Sequence, residues 1–231
     1  MIRIGLIGIH GKMGKAIVAE AQERSAVFKV VGGVTEGSTI SKLLPNVDVV
    51  IDFSLPAGTL ENLPLIVGSG KALVIGTTGF SESEKNDVLS QASKIPCVMA
   101  TNMSVGVNLL NRLAQLAAGP LSDYGIEIVE THHRYKKDAP SGTALTLAHF
   151  IQKGLTKSTI KRDIPIHSVR VGDVVGDHTV IFASDGERLE LTHRASSRRV
   201  FALGALKAAE WVVNQSPGIY SMQDVLFEGR S

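Results

Sequence analysis

Residues Ile2 to Ile9 form a continuous apolar run that breaks into Gly8-Ile9-His10-Gly11-Lys12-Met13-Gly14. Met13, Ile17, Val18 and Ala21 then recur at helical spacing. A strand with no polar alternation is one buried on both faces, the condition of a parallel strand between layers of helices. The glycine turn behind it predicts a helix over about residues 12–24. The same rhythm continues for a hundred residues. Strands are predicted at Phe28–Val34, Val47–Phe53, Ala72–Ile75 and Pro96–Ala100, with helices around Ala57–Gly68 and Glu82–Ser93. Strands separated by helix-length segments imply right-handed crossovers and a mostly parallel sheet, an α/β fold.

After residue 102 the rhythm changes. Helices are predicted at Val107–Ala118 and Thr143–Lys153, and strands at Tyr124–Glu130, His167–Val171, His178–Ser184 and Glu187–Arg194. Gly172-Asp173, Gly176-Asp177 and Asp185-Gly186 separate the last three, and Asp-Gly between apolar runs is a hairpin signal. The second half therefore reads as an antiparallel sheet flanked by helices, a separate α+β domain. A further helix is predicted over Phe201–Asn214, and the tail to Ser231 has no decisive periodicity.

Several function classes are excluded early. The 231 residues carry 24 Lys+Arg against 22 Asp+Glu, and only 5% are aromatic. A nucleic-acid partner would need a basic face or aromatic stacking platforms, and neither is present. No apolar run reaches the ~18 residues needed to cross a bilayer, so no membrane is expected. Cys97 has no second cysteine to pair with, which fits a reducing, cytoplasmic location.

The glycine turn has the spacing G-x-x-G-x-x-G, with His10 at a position usually held by glycine. Such a turn lets the backbone approach a pyrophosphate, which the helix N-terminus then attracts. Asp52-Phe53-Ser54, Gly76-Thr77-Thr78-Gly79 and Ala100-Thr101-Asn102-Met103 follow the third, fourth and fifth strands. Ligands of open parallel sheets bind beyond the carboxyl ends of the strands, so all these clusters fall on the ligand edge. Glu36, 22 residues after Gly14, stands where a carboxylate accepts from an adenosine ribose diol, although a solvated surface acid reads the same way. A carboxylate there repels a 2′-phosphate and favours NADH, while Lys12 leaves NADPH open.

The densest chemistry lies in Glu130-Thr131-His132-His133-Arg134-Tyr135-Lys136-Lys137-Asp138-Ala139-Pro140-Ser141-Gly142-Thr143-Ala144. Ser141 or Thr143 can cap the helix that follows, whose N-terminus is a second anion site. Imidazoles, an ammonium and a helix start in one stretch suit a small substrate bearing carboxylates, and histidine gives up a proton near neutral pH. The other histidines are scattered and only His132-His133 has close spacing, so no metal is expected. Arg194, Arg198 and Arg199 read as a solvated or subunit-contact face.

Together these motifs, with Asn102-Met103-Ser104-Val105-Gly106-Val107-Asn108 and Gly186-Glu187-Arg188-Leu189-Glu190-Leu191-Thr192-His193, strongly resemble the 4-hydroxy-tetrahydrodipicolinate reductase (dihydrodipicolinate reductase) family over essentially the whole chain. The resemblance implies reduction of a cyclic dicarboxylate with NADH or NADPH in diaminopimelate and lysine biosynthesis. It implies a Rossmann-like domain built from residues 1–102 and 199–231, and a central substrate and tetramerisation domain over 103–198. It implies catalysis by His132 and Lys136, and carboxylate binding by His133, Gly142 and Thr143. Cofactor contacts are implied for Gly8, Ile9, His10, Gly11, Lys12, Met13, Gly76, Thr77, Thr78, Ala100, Thr101, Asn102 and Met103. Closure of two domains with hinges near Asn102 and Arg198 is a further expectation, as is a homotetramer. The chain departs from the family in a compressed segment between Val34 and Val47 and in lacking the arginine that often follows the ribose-binding acid. Two other readings share the glycine turn: another nicotinamide-dependent imine or amino-acid dehydrogenase, and a dinucleotide-sensing regulator.

Overall fold

The computed structural model describes residues 1–155 and 163–227. It divides into two units, Met1–Val105 with Arg199–Ser231, and Gly106–Arg198; residues 228–231 of the tail lie outside the described residues.

The first unit holds β1 (Ile2–Ile7), α1 (Lys12–Glu23), β2 (Phe28–Val34), β3 (Val49–Asp52), α2 (Pro56–Ser69), β4 (Ala72–Ile75), α3 (Glu82–Ala92) and β5 (Pro96–Met99). Its six strands pair in parallel, in the order β10-β5-β4-β3-β1-β2, where β10 (Gly218–Tyr220) comes from the far end of the chain. Val49, Ile51 and Val74 face one layer, with residues of α1 and of the later helix α6 (Arg199–Val212). Val50, Leu73 and Ile75 face the other, with Leu63, Ile66 and Val88 of α2 and α3. Two apolar layers explain why the strands show no polar alternation. The chain leaves β1 in one direction to β2 and in the other to β3, and this reversal is where open α/β sheets form a ligand crevice. Val34 to Val47 is spanned by two short 3₁₀ turns, Ile40–Lys42 and Leu44–Asn46, which bury Ile40 and Leu44 in the second layer. β10 has only three residues, too few to carry a periodic signal.

The second unit contains α4 (Val105–Ala118, whose first residue belongs to the first unit), β6 (Gly125–His132), α5 (Gly142–Gly154), β7 (Ile166–Arg170), β8 (Gly176–Ser184) and β9 (Glu187–Ala195). Its sheet order is β7-β6-β8-β9. The sheet is mixed rather than antiparallel, because β7 pairs with β6 in parallel. Of the expected hairpins, only the one at Asp185-Gly186 joins neighbouring strands, with Ser184 opposite Glu187. Gly172-Asp173 instead carries the chain past β6, and the Gly172 carbonyl accepts from the Arg134 N–H at 3.2 Å. A glycine-aspartate pair marks a reversal of direction but does not choose the strand met next. In the core, Ile126 and Ile128 of β6 and Val180 and Phe182 of β8 pack against Leu110, Ala114, Leu147 and Ile151 of α4 and α5. The short helix α7 (Met222–Phe227) returns to the first unit and buries Met222 and Val225 in its core.

Candidate active site

The first unit's site begins where β1 ends. Gly8 has φ +84°, and a Cβ on it would stand 2.6 Å from the Phe53 carbonyl oxygen. A Cβ on Gly14 would stand 2.3 Å from the Gly8 carbonyl oxygen, so α1 is seated against the strand end as only glycine permits. Gly11 precedes α1 without a capping side-chain bond, so the amides of the first turn have no side-chain acceptor there. The Ile9 side chain turns inward, into space that Gly33 leaves open. Met13 is also packed on the core, and His10 and Lys12 are exposed.

A cavity of about 520 Å³ opens beside this turn, lined among others by Gly8, Gly11, Glu36, Ser54, Glu61 and Asn62. Glu36 precedes Gly37 in a turn closed by the Ser38 N–H on the Thr35 carbonyl at 3.1 Å. Glu61 comes from α2 and puts a second carboxylate on the wall; nothing in its sequence surroundings singles it out.

Asp52 organises the neighbouring loops. Its carboxylate, 1% exposed, accepts from the Ser54 N–H at 2.9 Å and hydroxyl at 2.6 Å, from Thr59 at 2.7 Å and from Thr77 at 3.1 Å. Burial raises its pKa, and the four donors oppose that shift. The Thr77 hydroxyl also accepts from the Ser54 N–H at 3.1 Å, so this side chain is committed to the fold. Gly76 leaves room for the Phe53 ring, which a Cβ would meet at 2.3 Å. Thr78 and Thr101 are exposed and Ala100 is packed on the core. Asn102 accepts from the Ser104 N–H at 2.9 Å. Met103 is a core side chain whose carbonyl lies against Gly204.

The second unit's site is a continuation of its core. On β6 the inward positions run Ile126, Ile128, Glu130, His132, so the apolar face becomes polar at the strand's end. Glu130 Oε2 receives His132 Nδ1, and its Oε1 accepts from Arg170 at 2.8 Å. Burial pushes the Glu130 pKa up, but hydrogen bonds from Arg170, Ser168 and His132 outweigh it and hold the carboxyl at about 2. Burial lowers the pKa of His132, as do the charges of Lys136 and Arg170, while Glu130 opposes them.

His178 of β8 lies directly opposite Glu130, with its ring 5.2 Å from that of His132, edge to face. It contacts the Ser141 hydroxyl at 3.4 Å, and burial pushes its pKa down to about 4. Ser141 caps α5 by accepting the Ala144 N–H at 3.2 Å, which places Gly142 and Thr143 in the helix's first turn. Lys136 pairs with Asp138 at 2.8 Å, and the half-buried His133 has its Nδ1 without a partner.

The structure thus gathers His132, Lys136 and the start of α5 around one strand end. It adds Glu130, Arg170 and His178, to which the sequence reading gave no role. The two-residue spacing of Glu130 and His132 in a strand was a usable signal; the approach of His178 and Arg170 depends on strand pairing. Glu130, His132 and His178 are also the one group among the described residues with ligand atoms close enough for a metal, within 4.8 Å of one another. Glu130 is already saturated by a guanidinium and an imidazole, which opposes a second cation there.

The family models for the N-terminus and C-terminus of dihydrodipicolinate reductase match residues 2–103 and 106–226. The chain is 42% identical, over an alignment 266 positions long with its gaps, to the 4-hydroxy-tetrahydrodipicolinate reductase of Hahella chejuensis, covering 98% of this chain and 99% of the relative. It is 43% identical, over an alignment 265 positions long, to that of Magnetococcus marinus, covering 97% and 98%. The dipicolinate-bound dihydrodipicolinate reductase from Paenisporosarcina sp. TG-14 is similar in structure, with a TM-score of 0.76 at 25% identity over 98% of this chain and 100% of that one.

Proposed function

This chain belongs to the dihydrodipicolinate reductase family, and on that premise we propose that it reduces (2S,4S)-4-hydroxy-2,3,4,5-tetrahydrodipicolinate to 2,3,4,5-tetrahydrodipicolinate in the diaminopimelate route to lysine. The observation that carries the chemistry is the buried His132, held by Glu130 at the end of β6 beside Lys136 and the first turn of α5. When bound, a nicotinamide cofactor would supply the hydride that reduces C4 of the conjugated cyclic imine left after the 4-hydroxyl departs as water. His132 supplies the proton that balances it, a contribution on the order of 10²–10⁴ in rate for a well-placed acid. The Lys136 ammonium exchanges Asp138 for a substrate carboxylate, and His133 with Gly142 and Thr143 receives the other. Holding both carboxylates fixes the ring for transfer.

The residues at the first unit's site fit a dinucleotide: the Gly8–Gly14 turn leaves its backbone bare, and the adjoining cavity is large enough for a nucleoside. Gly8, Ile9, Gly11, Lys12 and Met13 would hold the pyrophosphate, and Glu36 the ribose. Thr77, Thr78, Ala100, Thr101 and Asn102 act largely through backbone. The carboxylates of Glu36 and Glu61 favour NADH over NADPH, whose 2′-phosphate they would repel. The central unit serves as substrate and tetramerisation domain of a cytoplasmic homotetramer.

The test is NADH oxidation with substrate made in place, by a synthase that condenses pyruvate with aspartate semialdehyde. Oxidation that requires all three components is expected. Cofactor binding without oxidation would favour a regulator, and activity only on an amino or imino acid would favour another dehydrogenase.

A further inference from the structure

A carboxylate with no exposed surface is expensive, because removing a charge from water costs several kcal/mol unless its partners recover it. On the same face of β6 the equivalent positions are the isoleucines 126 and 128, so packing alone calls for an apolar residue at 130. Glu130 is instead fully buried and has a distinct task for each oxygen. Oε1 is neutralised by Arg170, itself anchored by the Asp138 carbonyl at 2.6 Å and the Val169 carbonyl at 2.8 Å. Oε2 is kept for His132 Nδ1. With Nδ1 occupied, only Nε2 of the ring can exchange a proton with a ligand. Gly176 keeps the neighbouring space open, since a Cβ there would stand 3.1 Å from Nε2.

We propose that Glu130 is a positioning residue of the reaction: its buried carboxylate fixes the tautomer and orientation of His132 and makes the imidazolium form attainable, so that Nε2 delivers the proton. This rests on the role given to His132 above. The charges of Lys136 and Arg170 oppose the imidazolium. Lys136 follows it on the chain, Arg170 faces it from β7, and His178 stands beside it on β8 with His193 of β9 opposite that ring and Asp177 near His193. Burial opposes it too, and it is the Glu130 carboxylate, bonded to the ring itself, that favours the charged form. The carboxyl's own value of about 2 keeps Glu130 ionised across the working range. Carboxylate partners that orient a functional histidine are typically worth about 10–100-fold in activity at metal sites, and the same ordering effect applies to an acid.

The test is a set of four variants, Glu130→Gln, Glu130→Asp, His132→Ala and the double Glu130→Gln/His132→Ala, assayed for kcat and KM across pH with thermal unfolding of the whole chain as the measure of folding. Glu130→Gln is expected to lower kcat by roughly 10–100-fold with KM nearly unchanged. The pH at which kcat falls on the alkaline side should move down, because the charge that favours the imidazolium is gone. Glu130→Asp keeps the charge and should keep the wild-type pH profile despite a lower kcat; it stands in for Glu130→Gln if that variant does not fold. In the His132→Ala background Glu130→Gln should cost nothing further. Additive losses in the double variant, an unshifted pH profile in Glu130→Gln, or wild-type kcat in Glu130→Gln would each overturn the proposal alone. Wild-type turnover in His132→Ala would overturn the parent reading, and this one with it.

Discussion

The close approach at the end of β1 can be measured with three glycine-to-alanine substitutions that separate two costs. Gly70, which closes α2, has φ +67° and nothing within 4 Å of a built Cβ, so Gly70→Ala carries only the left-handed backbone cost, about 1–2 kcal/mol. Gly14 lies in α1 with ordinary helical backbone, where alanine would gain about 1 kcal/mol, but its Cβ would sit 2.3 and 2.5 Å from the carbonyl oxygens of Gly8 and Ile9. Both obstacles are main chain and cannot rotate away, and overpacking of this kind costs ~1–3 kcal/mol or more. Gly8 combines the costs, with φ +84° and a 2.6 Å approach to the Phe53 oxygen, for a total of about 2–5 kcal/mol. In a chain of this size that lowers Tm on the order of 10 °C. The assay is thermal unfolding alongside fluorescence titration with NADH. Gly8→Ala should weaken NADH at least ~10-fold, since 1.4 kcal/mol of lost pyrophosphate contact suffices, and Gly70→Ala should leave affinity unchanged. Equal Tm losses and equal NADH affinity in Gly8→Ala and Gly70→Ala would refute the idea that bare backbone at residue 8 builds the site.

His132→Ala should reduce turnover by about 10²–10⁴-fold with NADH affinity intact, read by steady-state kinetics and titration; unchanged turnover would remove it from the mechanism. Lys136→Ala should raise KM and lower kcat together, and no effect on either would leave the ammonium paired with Asp138 throughout. Glu61→Gln should improve NADPH relative to NADH by up to about fivefold, the worth of one exposed like charge near a phosphate, measured as a ratio of kcat/KM values. Buried His178 makes folding acid-sensitive. Its folded value of about 4 lies below the ordinary 6.5, so its contribution is complete above 6.5 and is lost as pH falls through about 4. That is about 3 kcal/mol at most. Urea unfolding at pH 7 and 4.5 should show the loss, and His178→Asn should flatten it; an unchanged slope would place the acid sensitivity elsewhere.

The first unit was legible in the sequence because both causes of its fold are local. Strands buried on two faces read as unbroken apolar runs, and turns that approach another backbone read as glycine. The order in which strands assemble is not local. Gly172-Asp173 looks like Asp185-Gly186 on paper, yet only the latter joins neighbouring strands. Three-residue β10 was out of reach for the same reason: its place beside β5 is set by the sheet edge left open there.

The proposed chemistry was legible in residues 130–144 by themselves, since imidazole, ammonium and a capped helix start lie within a few positions of one another. Only the tertiary structure decided how the imidazole is held. Arg170 reaches Glu130 through the parallel pairing of β6 with β7, and His178 reaches His132 through the antiparallel pairing of β6 with β8. Those partners lie some 40 residues away along the chain, a distance over which no side-chain period carries a signal. The charge balance around the His132 ring exists only once three strands lie side by side.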